Sequence, residues 1–509
     1  MKRSKFNLSH TQLTTARMGQ LIPIGLLEVL PGDTIQHASQ ALIRCAPLAT
    51  PPMHPVRIDV RHFYVPNRLL WENWEDFITG GPDGLNASPF PTIKGGMASL
   101  QTSLADHLGI VPGLGLDDTV SALPFRAYAL IWNEYYRDQD LQDPLTISLA
   151  DGDDTTTNQE LQSVCWEKDY FTTSRPWEQK GPNVTLPLGS LATVTVDQIR
   201  NLGDGATSTT YPLQMVDGEH SGSGWGLATG RTEGGLPAGW SIGDLAQLVG
   251  VADLSTATAS TVNDLRLALA LQRYQEARAR FGSRYTEYLR YLGVRPSDAR
   301  LQRPEYLGGA RTNLQFSEVL SSDVDPAATP DPRLPGLFGG HGIGANRSNR
   351  YRKFFEEHGF VISVMSVIPQ TMYPNGLFRH WNRRTKEDFF QKELQHIGQQ
   401  EVLSKEVNAL HTTPDGTFGF QDRYDEYRRS ESQVHGYFRS GSYLQDWHFA
   451  RSLPTNVALN ADFVKASPSD LPFQVREISE QPAATLYCAI RHQIIARRIL
   501  AKKGSSFIL

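Results

Sequence analysis

Cysteine is scarce in this 509-residue chain: Cys45, Cys165 and Cys488 are the only three, and none of them forms a CxxC pair. A disulfide framework, a zinc ribbon and a thioredoxin-type site are thereby excluded, and a reducing compartment is expected. Long apolar runs are missing too. Nothing approaches the roughly 18 residues of a membrane-spanning helix, so no membrane insertion is expected. Lys2, Arg3 and Lys5 open the chain, but the polar run from Asn7 to Gln20 that follows is not a secretory signal. Catalytic signatures are absent as well: there is no HExxH, no G-x-S-x-G and no GxxxxGK[ST].

Three patterns imitate active sites. Gly340-His341-Gly342-Ile343-Gly344-Ala345 fits a dinucleotide fingerprint. It lacks the strand before and the helix after that hold a pyrophosphate, so it reads as a loop. Asp151-Gly152-Asp153-Asp154 departs from the calcium-loop pattern and reads as a solvated acidic turn. Glu72, Glu75 and Asp76 share one short helix with Trp71 and Trp74, whereas a glycosidase pair normally comes from separate elements. No catalytic residue, metal site or cofactor is assigned.

What the chain has in quantity is glycine and proline, 74 residues together, which favours strands, turns and long loops. Val56–Val65 alternates with period two, and residues 34–46 and 21–30 also read as extended. Gly359–Pro369 is apolar on both faces, as in the middle of a sandwich. Near the C-terminus Leu486, Cys488, Ile490, His492, Ile494 and Ala496 share one face, and Tyr487, Arg491, Gln493 and Arg497 the other. Helical spacing is local: Arg68–Thr79, Pro124–Arg137, a segment from Thr261 to Leu292 broken near Gly282, and Lys386–Ile397. Residues 191–260 hold twelve glycines and seven acids against two bases, and read as a surface excursion; 321–350 reads as a loop. The pattern predicts an antiparallel β-sandwich whose early and late strands pair across the chain, with insertions carrying the short helices.

Charge is unevenly distributed. The chain sums to −5, yet residues 1–27 carry +4 and residues 491–509 carry +5, leaving −14 on the remainder. Lys2, Arg3, Lys5, Arg17, Arg491, Arg497, Arg498, Lys502 and Lys503 are therefore the candidate contacts for a polyanion. Trp74, Tyr135, Tyr136, Arg284, Tyr285, Arg303 and Tyr306 are of the types that anchor subunit interfaces, and equally of types that fill a core.

Several ordered stretches carry a resemblance. They include Leu30-Pro31-Gly32-Asp33-Thr34, Phe63-Tyr64-Val65-Pro66-Asn67-Arg68 running on to Trp74, Leu123-Pro124-Phe125-Arg126-Ala127-Tyr128, Ile131 to Arg137, and Arg347-Ser348-Asn349. The most distinctive is Ser297-Asp298-Ala299-Arg300-Leu301-Gln302-Arg303-Pro304-Glu305-Tyr306-Leu307-Gly308-Gly309. Together they resemble the major capsid protein of the Microviridae, small single-stranded DNA bacteriophages, and most closely the gokushovirus-like branch. The resemblance implies an eight-stranded antiparallel jelly roll and a structural protein, not an enzyme. It implies a T=1 icosahedral shell of about sixty copies around circular single-stranded DNA. On that reading residues 1–20 are a basic N-terminal arm, and 21–509 one jelly-roll domain with insertions at about 68–350 and about 370–430. Residues 191–260 are a variable surface insertion that could form a threefold protrusion and meet a host receptor, and 491–509 are a basic segment on the inner wall. A small basic packaging protein, a pilot protein and a scaffolding protein are expected partners, with assembly in the bacterial cytoplasm and residence in the virion. The competing readings are a secreted-type jelly roll that binds or cleaves carbohydrate and a nucleic-acid module that forms no shell. Paired carboxylates or a calcium site would favour the first; a basic body and a reader motif would favour the second.

Overall fold

The computed structural model describes residues 3–94, 101–113, 118–182, 184, 193–200, 210–214, 228–229, 247–253, 262–281, 284–320, 338–439, 441–473 and 484–502. The chain divides into a unit formed by residues 1–180 and 276–509 and a second formed by 181–275. In the second, Thr193–Arg200, Thr210–Gln214, Ala228–Thr229 and Gln247–Asp253 form a four-stranded sheet. Most of residues 191–260 lie outside the described residues.

In the larger unit ten strands form one curled antiparallel sheet. They are β1 (Ser4–Asn7), β2 (His10–Ala16), β3 (Ile22–Val29), β4 (Thr34–Cys45), β5 (Val56–Pro66), β6 (Glu305–Leu320), β7 (Phe338–Arg347), β8 (Tyr351–Phe354), β9 (Gly359–Pro369) and β10 (Leu486–Arg498). The order is β1-β10-β4-β7-β6-β5-β9-β3, with β2 also laid along β10 and β8 along β4. β6 turns the corner: its residues 305–314 pair with β5 and its residues 315–320 with β7, so one strand serves both halves of a jelly-roll sandwich. Early and late strands do pair across the chain, since Leu486 lies opposite Cys45 and Ser4 opposite Arg498.

Period-two alternation sets which side chains enter the space between the halves, and they are layered. At one end Ile22, Ile24, Ile43, Ile58, Val60 and Ile490 pack together with their neighbours. At the other, Val29, Ile35, Tyr64, Val361, Ile494 and Ala496 do the same. Between these two apolar layers lies a polar belt. The inward positions at that level are His37 and Ser39 on β4, His62 on β5, Ser363 on β9 and His492 on β10, all buried. On β3 the corresponding residue is Gly25, where a Cβ would stand 2.8 Å from the His492 ring.

The belt is hydrogen-bonded in a consistent direction. His492 Nε2 donates to the Ile24 carbonyl (2.6 Å), so its Nδ1 accepts from His37 Nε2 (3.0 Å). His37 Nδ1 then accepts from the Tyr351 hydroxyl (3.1 Å). His62 meets Ser363 Oγ at 2.8 Å and Ser39 Oγ at 3.4 Å. The two accepting nitrogens, His492 Nδ1 and His37 Nδ1, require neutral rings. Burial, reinforced for His37 and His62 by neighbouring histidines, lowers the pKa of His37 to about 2, His62 to about 3 and His492 to about 4.

Three sequence expectations need correction, the third in the insertion after β5. Residues 338–347 are not loop but strand β7. Its glycines are there for close packing: a Cβ on Gly340 would stand 2.4 Å from the Thr50 carbonyl, on Gly342 2.6 Å from Cys45 Sγ, and on Gly344 2.6 Å from Ile58 Cδ1. Lys386–Ile397 is not an α-helix but two 3-10 turns, Lys386–Asp388 and Lys392–His396. The Asp388 carboxylate accepts from the Arg384 and Thr385 backbone N–H groups at 2.8 Å and closes the first turn early.

Two long excursions leave the sheet, 67–304 between β5 and β6 and 370–485 between β9 and β10. The first returns helix α1 (Trp74–Thr79), stopped by Gly80 at φ +86°, and helix α2 (Leu123–Tyr135). Phe125, Tyr128, Ile131, Trp132 and Trp71 cover the outward side of β5 and β9 at Phe63, Val65, Ile362 and Val364. Arg126 of α2 is fully buried. Its guanidinium donates to Asp154 (2.8 Å), the Leu70 carbonyl (2.9 Å) and the Ala150 carbonyl (3.0 Å). The expected solvated turn at 151–154 is thus a structural anchor: Asp154 is buried on Arg126, and Asp151 accepts from Trp71 Nε1. Later come α3 (Val262–Phe281) and α4 (Tyr285–Tyr291); Thr261 and Gly282, expected as the start and the break of this segment, lie outside the described residues.

Candidate nucleic-acid interface

The inward residues of β4 and β10 are buried; their alternate residues form the opposite, solvent-facing surface. Strand pairing brings together on it charges that are distant in sequence. Lys5, Arg497 and Thr34 form one row across β1, β10 and β4, extended by Phe354 of β8. Thr11, Arg491, Gln40 and Arg347 form another across β2, β10, β4 and β7. Thr15, Tyr487, Arg44 and Ile343 form a third. Arg352 of β8 lies opposite Gln36. The surface thus carries Lys5, Arg44, Arg347, Arg352, Arg491 and Arg497, all exposed. No acidic residue occupies an outward position on these strands, and none of the six makes an ion pair among the described residues. Tyr487 and Phe354 stand exposed among them. Adjacent strands are about 4.8 Å apart, so the rows make a continuous cationic sheet face with aromatic rings. This arrangement suits phosphates and stacked bases without sequence readout.

The candidate residues from the two ends fall into different environments. Lys5, Arg491 and Arg497 lie on this face. Arg3 is exposed beside it, donating to Thr34 Oγ1 with its guanidinium 4.8 Å from the Phe354 ring centroid. Lys502 is exposed. Arg17 is bound to Asp470, and Arg498 to Asp33 (3.0 Å) and the Glu28 carbonyl (2.7 Å), so both serve as intramolecular ties. Lys2 and Lys503 lie outside the described residues. Arg44, Arg347 and Arg352 are not evident from the sequence because they are scattered over three separate strands and lie outside the basic chain ends; only the register gathers them.

The candidate interface residues also separate. Arg303 is buried, 4.3 Å from the Tyr135 ring centroid and bound to Asp298 (3.4 Å), while the Tyr135 hydroxyl donates to the Pro304 carbonyl (2.6 Å). Tyr136 lies under Arg61, and Arg284 Nη2 donates to the Asn133 and Arg137 carbonyls. Trp74 packs on Trp71 and His358. Tyr285 and Tyr306 are 64% and 49% exposed. Further exposed apolar residues follow a pattern: Tyr285, Tyr288 and Tyr291 on α4, and Leu265, Leu267, Leu269, Leu271 and Tyr274 on α3. A helix with leucines outward on several sides is the kind of surface an assembly covers.

Among the described residues no group of His, Cys, Asp and Glu is placed to hold a metal ion, and no described helix is long and apolar enough to cross a membrane.

Comparison with known proteins places the chain in a family. Residues 1–506 match the family model described as capsid protein (F protein). The chain is 36% identical over 477 residues to capsid protein VP1 of Bdellovibrio phage phiMH2K, covering 91% of this chain and 88% of the relative. It is 32% identical over 545 residues to capsid protein VP1 of Chlamydia phage 1, covering 92% and 90%. It is also 32% identical over 501 residues to capsid protein VP1 of Spiroplasma virus 4, covering 91% and 87%.

Proposed function

We propose, from the premise that this chain belongs to the capsid protein (F protein) family and is a structural protein of a Microviridae capsid, that it tiles a T=1 icosahedral shell of about sixty copies. The cationic face of β1, β4, β7, β8 and β10 turns inward and holds circular single-stranded DNA. The observation that carries this reading is the acid-free face itself, in a chain whose net charge is −5. Six cations gathered by register supply sequence-independent affinity while the rest of the surface keeps the chain soluble. Sixty copies offer on the order of 360 such charges, fewer than a genome's phosphates. A small basic packaging protein or cations then complete neutralisation. The exposed apolar residues of α3 and α4 meet neighbouring copies, and residues 191–260 face outward toward a host receptor. A pilot protein and a scaffolding protein assist assembly, which takes place in the bacterial cytoplasm. The protein performs no catalysis.

The test is to purify particles carrying Arg44→Gln, Arg491→Gln and Arg497→Gln together and measure nuclease-protected DNA per particle. Shells should form with the DNA content reduced by half or more. Unchanged DNA content in intact shells would overturn the inward assignment of this face. A chain that remains monomeric with all its assembly factors present would overturn the shell itself.

A further inference from the structure

On the outward side of the other half-sheet lies a cavity of about 440 Å³. Its floor is the row Ser366, Asp59 and Arg311 across β9, β5 and β6, flanked by Arg57 and Arg61. Its walls are the segment after α2, residues 135–139, together with 164–168, Arg175 and Arg284. Seven cationic side chains line it against four acidic ones, an excess of three.

The acids are already engaged. Asp59 is shared between Arg61 (2.6 Å) and Arg311 (3.3 Å), and Glu167 is bound by Arg57. Asp138 is shared between Lys168 and Arg175, and Glu287 accepts from Gln139 (2.7 Å) and the Arg284 backbone N–H (3.3 Å). Two adjacent guanidiniums, Arg137 and Arg284, form no ion pair within 4 Å among the described residues, though Glu134, Asp138 and Asp143 lie near enough to Arg137 to offset part of its charge. Arg137 Nη1 donates to the Gln142 carbonyl, but its Nε is buried with no acceptor, as is that of Arg57. Burial and the nearby Arg284 charge lower the pKa of Arg137, the expected response of a cation crowded by a like charge. Guanidiniums present a planar fork that matches phosphate oxygens. The volume lies in the range of about 300–1,000 Å³ typical of small-molecule sites, larger than one phosphate needs.

We propose that this cavity binds the phosphate of a nucleotide-sized ligand, Arg137 and Arg284 supplying the missing counter-charge. The ligand is a free mononucleotide: with the cationic sheet face turned toward the enclosed strand, as proposed above, the outward side of this half-sheet turns away from it. This site is separate from the cationic sheet face and does not depend on it.

The test is calorimetric titration of the full-length chain with deoxyadenosine 5′-monophosphate, with deoxyadenosine, and with an eight-residue oligothymidylate. The monophosphate should bind saturably and the nucleoside should not. Arg137→Gln and Arg284→Gln should each weaken binding at least tenfold. Oligothymidylate binding should be indifferent to Arg137→Gln; a fall of tenfold or more would place a nucleotide of the strand in the cavity and overturn the free-nucleotide assignment. Should a variant fold poorly, hydrogen exchange on the unaltered chain decides: the monophosphate should protect residues 135–139 and 164–168. No saturable binding of monophosphate or oligonucleotide at these residues, or equal affinity for nucleoside and monophosphate, overturns the site. Monophosphate that fails to bind, while DNA retention still depends on Arg44, Arg491 and Arg497, would leave the sheet-face reading standing while this one falls.

Discussion

The two faces of β4 and β10 carry the same class of side chain, nitrogen bases, and treat it in opposite ways. Inside the sandwich His37 and His492 are buried, mutually hydrogen-bonded and neutral. Outside, Arg44, Arg491 and Arg497 are exposed and charged. The difference lies in what burial demands. An interior base with no carboxylate beside it gives up its proton, and histidine can do so; arginine cannot, and so it belongs where water or a polyanion meets it. A strand pair thus separates a proton-sensitive support from a permanently charged surface, one residue apart.

Acid should break the comparison most strongly, by forcing charge onto the inner face. Above pH about 6.5 the three belt histidines are neutral whether the chain is folded or not. Below that, the unfolded chain takes up protons that the folded chain refuses until about pH 4 for His492, 3 for His62 and 2 for His37. Stability is therefore fully present above 6.5 and lost as pH falls, by about 1.4 kcal/mol per pH unit for each histidine, or about 4 kcal/mol for the three. Glu406, raised to about 7 by burial, works in the opposite sense between its ordinary value of 4.5 and 7; Asp33 and Glu431, also raised by burial, do so above their own ordinary values. Buried His54, lowered to about 4, and His107, also lowered, add to the effect of the belt. Urea unfolding of the unassembled chain from pH 7 to 4 should show the decline, and His492→Gln should flatten it by about one proton. A level profile would contradict the neutral belt.

Arg126 sharpens the rule from the other side. It is fully buried yet keeps its charge, because Asp154 and two carbonyls receive it. Arg126→Met leaves Asp154 buried and uncompensated, and should cost about 3–5 kcal/mol in urea unfolding. A loss below about 1 kcal/mol would show that this pair does not hold the insertion on the sheet.

Adjacent residues of β7 give a smaller contrast. Gly344 faces inward against Ile58 and Leu314, while Ala345 faces out. Gly344→Ala should cost about 1–3 kcal/mol through overpacking, and Ala345→Ser no more than about 0.5 kcal/mol. Equal effects in thermal melts would mean that the faces are misassigned.

The legibility of the chain follows from the same geometry. β5 and β10 were readable because their side chains alternate in polarity, β9 because it is a short run apolar on both faces, and α2 because Tyr128, Ile131, Trp132 and Tyr135 repeat at helical spacing. β7 was not, since hydropathy has no way to register a glycine whose value is the absence of a side chain beside Thr50, Cys45 and Ile58. Half of the cationic face was visible as basic chain ends; Arg44, Arg347 and Arg352 came from register alone. Arg17 and Arg498 show the reverse error, charge that sequence offers to a polyanion and the fold commits to Asp470 and Asp33. The polar belt was foreshadowed only by His62 and His492 at inward positions of alternating strands.

The weakest expected effect on the fold is on the outer face. Arg491→Gln and Arg497→Gln should leave the melting temperature unchanged. Each should reduce the slope of log affinity against log salt for single-stranded DNA by about 0.7.

The central claim is that this face meets the packaged strand. Ultraviolet crosslinking of DNA inside purified particles, followed by mass spectrometry of the nucleotide-bearing peptides, addresses it most directly. Adducts should concentrate at Tyr487, Phe354 and the peptides bearing Lys5, Arg44 and Arg491. Adducts confined to other surfaces, with these peptides recovered unmodified, would contradict it.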